Sequence, residues 1–180
     1  MLRLRQKESD MEKSDTNTPG EADEEITLTT SDENLAVTLQ MINGCRRYLN
    51  IISRDLDPCI YDNREMLDAI KKLVLRSRLS KVRIIILQPE TLYSRGHRLI
   101  NLSERLSSFI QIKIPGKEDR NFNQAFFITD NSGYIHRPYS DRFEGQSNYN
   151  DRKTASNLLN QFELLWERAK PDPNFKRLSL

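Results

Sequence analysis

The feature that most constrains this chain is the run from Asn121 to Ile135, NFNQAFFITDNSGYI. Ala125, Phe126, Phe127, Ile128 and Thr129 make a short apolar run of strand length, read as a buried strand. Asp130, Asn131, Ser132 and Gly133 are turn formers, and Tyr134 and Ile135 lead the chain back, so the local reading is a β-hairpin. Side chains alternate along a strand, which puts Asn123, Ala125 and Phe127 on one face and Gln124, Phe126 and Ile128 on the other. Two small residues, one polar and one apolar, therefore share a side at the entrance to the hairpin.

The rest of the chain supplies the partners this strand needs. Ile26 to Thr30 alternates and predicts a short strand or extended lead-in. Thr30, Ser31 or Asp32 caps a helix over residues 32–47, with Leu35, Leu39 and Ile42 at helical spacing. Residues 48–53, YLNIIS, predict a strand that ends in the charged loop Arg54-Asp55-Leu56-Asp57-Pro58. Asp62 or Asn63 caps a second helix, with Met66, Leu67, Ile70, Leu73 and Val74 on its inner stripe. Its bases Lys71, Lys72, Arg76 and Arg78 read as a solvated face.

Lys81 to Leu87 is strongly β-branched and predicts a central strand. A strand, helix and strand of this length imply a parallel crossover. After a loop containing Tyr93, Arg95 and Gly96, a helix over residues 97–108 and an alternating strand over 109–114 are expected, followed by a charged connection over 115–120. A final helix from Asp151 to Lys170 carries Leu158, Leu159, Phe162, Leu165 and Trp166 on a stripe wide enough to cover a sheet, and Pro171 and Pro173 end it. The alternation of strands and helices gives an α/β fold.

A chain of 180 residues suits one domain. The first 25 residues hold eight acids and four bases, with almost nothing apolar, and are expected to form a disordered acidic tail or linker. Net charge is +2 overall and −4 in that segment, which leaves +6 on residues 26–180. No concentrated basic stripe marks the body, so nucleic-acid binding is not the expected role. Cys45 and Cys59 belong to no CxxC pair and read as ordinary thiols. No apolar run reaches the length of a membrane span, and the amino terminus is too polar for a signal peptide. A soluble cytoplasmic protein is expected, with residues 171–180 as a flexible tail.

The spacing Asn123-x-Ala125-x4-Asp130 resembles the His-x-Lys-x4-Asp motif strand of the phospholipase D superfamily. The segment Gly145-Gln146-Ser147-Asn148 resembles the Gly-Ser-x-Asn element that follows it there. The resemblance covers residues 26–170 and implies a single phospholipase D-like half, an αβα sandwich with a mixed sheet. In that family the His attacks phosphorus and the Lys neutralises the phosphoryl oxygens. Here those positions hold Asn123 and Ala125, and Asp130 alone is retained. Small bacterial domains appended to GNAT-type acetyltransferases are similar, which implies a possible acetyltransferase partner.

Without a nucleophile and its cation, phosphodiester transfer loses its covalent step and its charge stabilisation. No catalytic residue, metal or cofactor is therefore expected. His97 and His136 lie off the motif positions, and Asp55, Asp57 and Asp62 are spaced for turns and caps. By the resemblance, position 123 lies at the cleft beside position 148. Asn123, Asp130, Asn148, Arg54, Arg95, Arg137 and Arg142 are then the candidate ligand residues for an anion or phosphate-bearing molecule. The competing reading is that the asparagines only satisfy buried backbone in a vestigial cleft. A different class of function is a homodimer, because single halves of this superfamily pair across a two-fold axis and their clefts become the interface.

Overall fold

The computed structural model describes residues 24–175; most of the expected acidic tail and residues 176–180 lie outside that range. The chain begins with β1 (Ile26–Leu28), α1 (Ser31–Gly44), β2 (Tyr48–Ser53), α2 (Pro58–Tyr61), α3 (Arg64–Arg76) and β3 (Lys81–Ile86). It continues with α4 (Glu90–Arg95), α5 (Arg98–Arg105) and β4 (Ile110–Lys113). The hairpin of β5 (Ala125–Thr129) and β6 (Gly133–Arg137) follows, then β7 (Gly145–Asn148) and α6 (Arg152–Arg168).

The described residues form a seven-stranded sheet in the order β1-β7-β6-β5-β2-β3-β4. The three strands β2, β3 and β4 run parallel, and β5, β6 and β7 alternate antiparallel from β2 outward. The expected mixed-sheet α/β sandwich is the observed one. Its two faces follow the alternation in the hairpin strand. Phe127 packs with Ile51 and Ile84 under α1, α3 and α5. Phe126 and Ile128 pack with Ile52 and Ile85 under Phe162 and Leu165 of α6. Phe126, Phe127 and Phe162 are all fully buried, and each stabilises the fold by roughly 1.5–3 kcal/mol relative to an exposed ring.

The helices begin where their capping residues stand. Thr30 and Glu33 make a reciprocal capping box on α1, and Asn63 accepts from the Met66 amide at the start of α3, each satisfying otherwise orphaned amides. α6 is clamped to the sheet from outside the core. The Arg83 fork reaches both carboxylate oxygens of Glu163 at 2.8 and 2.5 Å, and its plane lies over Phe162 and Trp166.

Three features correct or add to these expectations. The helix expected over 97–108 is α5, which His97 caps and which ends at Arg105, and the loop expected before it holds a further helix, α4, that stops where Gly96 adopts φ +70. Gly145 to Asn148 is a strand, pairing with β6 on one side and β1 on the other. Residues 171–175, expected to trail away, fold back instead: Phe175 is buried against Tyr93, with ring centroids 5.7 Å apart.

Candidate functional site

The site is set by register. Ile52 of β2 lies opposite Phe126 of β5, so the loop leaving β2 and the segment entering β5 emerge at one end of the sheet. Ala125 lies opposite Arg137, which brings the loop leaving β6 to the same end. This is also the carboxyl end of the parallel strands, where α/β proteins place their ligands.

Asn123 stands exposed at that end. Its Oδ1 accepts from Ser140 Oγ at 2.5 Å and its carbonyl accepts from the Ser140 amide at 2.9 Å. It is a clamp on the loop after β6. Ala125 is buried, and the cavity beside it, shared with Tyr61, Phe127 and Arg137, measures about 10 Å³. That is room for one water at most.

Arg137 fills what the small residue leaves. Its side chain is 4% exposed, and its Nη2 donates to Asp57 Oδ2 at 2.6 Å. Nη1 is buried without a hydrogen-bond partner, and the guanidinium lies 5.6 Å from the Phe143 ring centroid. A cation thus stands across the strand from the position where the resemblance implies a lysine, with its charge matched by an aspartate. A buried pair of this kind is costly to assemble and far more costly to halve.

The loop leaving β2 is held from all sides. Ser53 Oγ accepts from the Leu56 amide at 3.0 Å, and Leu56 itself takes φ +53. His97 Nδ1 accepts from the Leu99 amide at 3.1 Å, so Nε2 carries the proton and donates to the Leu56 carbonyl at 3.1 Å. Burial lowers the pKa of His97, consistent with a neutral ring whose two nitrogens are both engaged. His136 is half-buried on the α6 side, bonded to Gln124 at 2.8 Å with its ring edge-on to Phe126. Neither histidine is placed to attack a ligand in the cleft.

Of the arginines, Arg54 reaches Asp55 at 3.8 Å and Arg95 donates to the Asp55 carbonyl at 3.3 Å. Arg142 is exposed and stacks on Tyr139, its guanidinium 5.2 Å from the ring centroid. Arg54 lies on the loop after β2, Arg95 at the end of α4 and Arg142 on the loop after β6.

Asn148 and Asp130 lie elsewhere. Asn148 pairs with Tyr134, which pairs with Ile128, five residues along β5 from position 123 or about 17 Å at strand rise. The expected meeting of Asn123 and Asn148 therefore does not occur. Asn148 is buried, and its Oδ1 accepts from the Asn150 amide at 2.7 Å. The partner that Asn123 does have, Ser140, follows β6 directly; the signal was the length of the return strand, which carries residues 137–140 back to position 123.

Asp130 occupies the hairpin turn at φ +48. Its carboxylate accepts from the amides of Arg46, Arg47 and Tyr48 at 2.5, 2.9 and 2.9 Å, and its own amide donates to the Tyr48 carbonyl. The retained acid is an architectural tie between the hairpin and β2. Burial, helped by the charge of Asp130, pushes the neighbouring Cys45 thiol up to about 12.

Comparison with known proteins agrees with this architecture. No curated protein matches the sequence. Among solved structures, the chain is similar to TrmBL2, described as an archaeal chromatin protein with a novel mode of DNA binding, at TM-score 0.64 and 14% identity. That match covers 88% of this chain and 57% of TrmBL2. It is similar to NucT from Helicobacter pylori at TM-score 0.56 and 16% identity, covering 83% of this chain and 98% of NucT. Nuc from Salmonella typhimurium, a phospholipase D family member, matches at TM-score 0.55 and 15% identity over 83% of this chain and 99% of Nuc. The fold is phospholipase D-like. Residues 30–178 match the model of one sequence family, and the chain belongs to it: the domain of unknown function DUF7931.

Proposed function

We propose that this chain is a non-catalytic phospholipase D-like module that recognises an anionic or phosphate-bearing ligand at the rim of a closed cleft. The observation that carries the loss of turnover is the state of the strand entrance. Asn123 is bonded to Ser140, and Ala125 faces Arg137, whose charge is matched by Asp57. The cavity there is about 10 Å³, which holds no phosphoryl group. An amide is no nucleophile towards phosphorus, and an arginine matched by a buried carboxylate offers little net field to a developing charge.

Recognition is left to Arg54, Arg95 and Arg142, whose planar forks suit paired oxygens. Two measurements test the reading. The full chain incubated with bis(p-nitrophenyl) phosphate is expected to release nitrophenol no faster than buffer; enzymatic release overturns the non-catalytic assignment. Calorimetric titration with inorganic phosphate and AMP is expected to give heat that is lost in the R54Q/R95Q variant, and silence with both ligands removes the rim site.

One observation favours a second reading, pairing of two copies across the cleft mouth. Tyr139 is 56% exposed with Arg142 stacked on it, and both residue types are enriched at energetic centres of interfaces. Light scattering across a dilution series tests it: a monomer at every concentration ends this model.

A further inference from the structure

The opposite end of the sheet holds a larger cavity. It measures about 670 Å³ and is lined by the loop joining α1 to β2, the hairpin turn, and the start of α6. The volume falls within the span of small-molecule sites, about 300–1,000 Å³.

Three arginines line it, Arg46 and Arg47 from the loop and Arg152 from the helix. All are exposed, and none enters an ion pair among the described residues. Two acids stand near them: Asp130, which lines the same cavity, and Asp151, which precedes Arg152 and caps α6. The Asp130 oxygens accept from three backbone amides and those of Asp151 from the Thr154 amide and hydroxyl, so neither carboxylate is bonded to a guanidinium group.

Arg152 opens a 17-residue helix capped by Asp151, and Lys153 follows it. The Asp151 carboxylate accepts from the Thr154 amide and hydroxyl at 3.0 and 2.6 Å, so that acid itself meets the positive end of the helix macrodipole. A bound anion would meet the three arginine forks together.

We propose that this cavity binds a small ligand bearing a di- or triphosphate group, held by Arg46, Arg47 and Arg152. The site is independent of the cleft rim and lies at the other end of β5. The floor is rigid, because the Asp130 tie fixes the backbone from which Arg46 and Arg47 project. The ligand chemistry follows from the count of cations: three guanidinium forks match a polyphosphate chain better than a lone carboxylate.

The test is calorimetric titration of the full chain with inorganic tripolyphosphate at low salt. Binding is expected, weakened at least about tenfold in each of R47Q and R152Q, while urea midpoints stay unchanged because both side chains are exposed. The R54Q/R95Q variant is expected to bind tripolyphosphate as the wild type does, which separates this site from the rim. No heat up to about 5 mM tripolyphosphate, a limit weaker than about 3 kcal/mol of binding free energy, overturns the proposal. Binding that survives R47Q and R152Q together also overturns it. A single-stranded oligonucleotide that binds where tripolyphosphate does not assigns the surface to nucleic acid and overturns it as well.

Discussion

The two ends of β5 hold charge in opposite ways. At the entrance, Arg137 and Asp57 are buried against each other and the space beside Ala125 is about 10 Å³. At the exit, the Asp130 carboxylate is satisfied by backbone amides alone, and a cavity of about 670 Å³ lined by three arginines opens beside it. A side-chain cation paired with a side-chain anion closes a site. An anion paired with peptide dipoles leaves nearby cations free to meet something else. The difference teaches that Asp130 belongs to the scaffold, and that the strand entrance beside Ala125 is filled by packing.

The strongest way to break this contrast is to remove Asp57. D57A leaves the Arg137 guanidinium buried and uncompensated, and is expected to destabilise the chain by about 3–5 kcal/mol. Urea denaturation followed by circular dichroism reads the loss. The D57L/R137M double variant replaces the pair by apolar groups and is expected to recover most of it. A single variant that melts like the wild type shows the entrance to be open to water after all.

At the exit the expected effect is smaller. D130A deletes an acceptor of three amides and puts alanine at a left-handed backbone position, for a combined loss of about 2–4 kcal/mol. D130N is expected to fall between, since asparagine tolerates φ > 0 and keeps one acceptor oxygen. Hydrogen exchange sharpens the comparison: the Arg46, Arg47 and Tyr48 amides should lose protection in D130A and keep it in D57A.

Much of this architecture was readable before any coordinates. The apolar run AFFIT, the β-branched KVRIII and the stripe on α3 each repeat at one period and fell into the elements their periods predict. What pattern cannot carry is register. Asn148 looked like a neighbour of Asn123 because a short motif sat at a plausible distance along the chain, yet β7 pairs so that Asn148 lies at the far end. Arg137 and Asp57 were each visible as charged loop residues, 80 positions apart, and nothing local says that they meet. α4 was missed because Tyr93, Arg95 and Gly96 read as loop residues, and α5 was drawn too long because Leu106 continues the stripe of Leu99 and Leu102 past the helix end at Arg105. Phe175 was read as tail because two prolines precede it; burial of one ring against Tyr93 outweighed them.

Acid should loosen one end only. The pKa of His97 is lowered from its ordinary 6.5, chiefly by burial, so the folded state binds fewer protons than the unfolded state below that value. Its contribution to stability is present above pH 6.5 and is lost as pH falls through the lower folded value. His136 acts in the same sense, again through burial. Urea midpoints are therefore expected to drop between pH 7.5 and 5.5. H97N, which can still cap α5 but does not titrate, should flatten that slope, and a slope unchanged in H97N removes His97 as its source. Because His97 ties the loop after β2, exchange of the Leu56 and Leu99 amides should quicken in acid before the amides bonded to Asp130 do.

The smallest effect is expected at Asn123, the position that the sequence spacing made central. Asn123 is exposed, and of its two links to Ser140 only the side-chain one at 2.5 Å is lost in N123A; the backbone bond at 2.9 Å stays. A part-buried hydrogen bond between neutral groups contributes about 0.5–1.5 kcal/mol, so the urea midpoint should move less than in D130A and far less than in D57A. That ranking inverts what the sequence spacing suggests, in which position 123 is the centre and Asp57 a turn residue. If N123A cost more than D130A, the clamp on Ser140 would be holding a strained cleft open, and the closed entrance would have to be understood as one state of two.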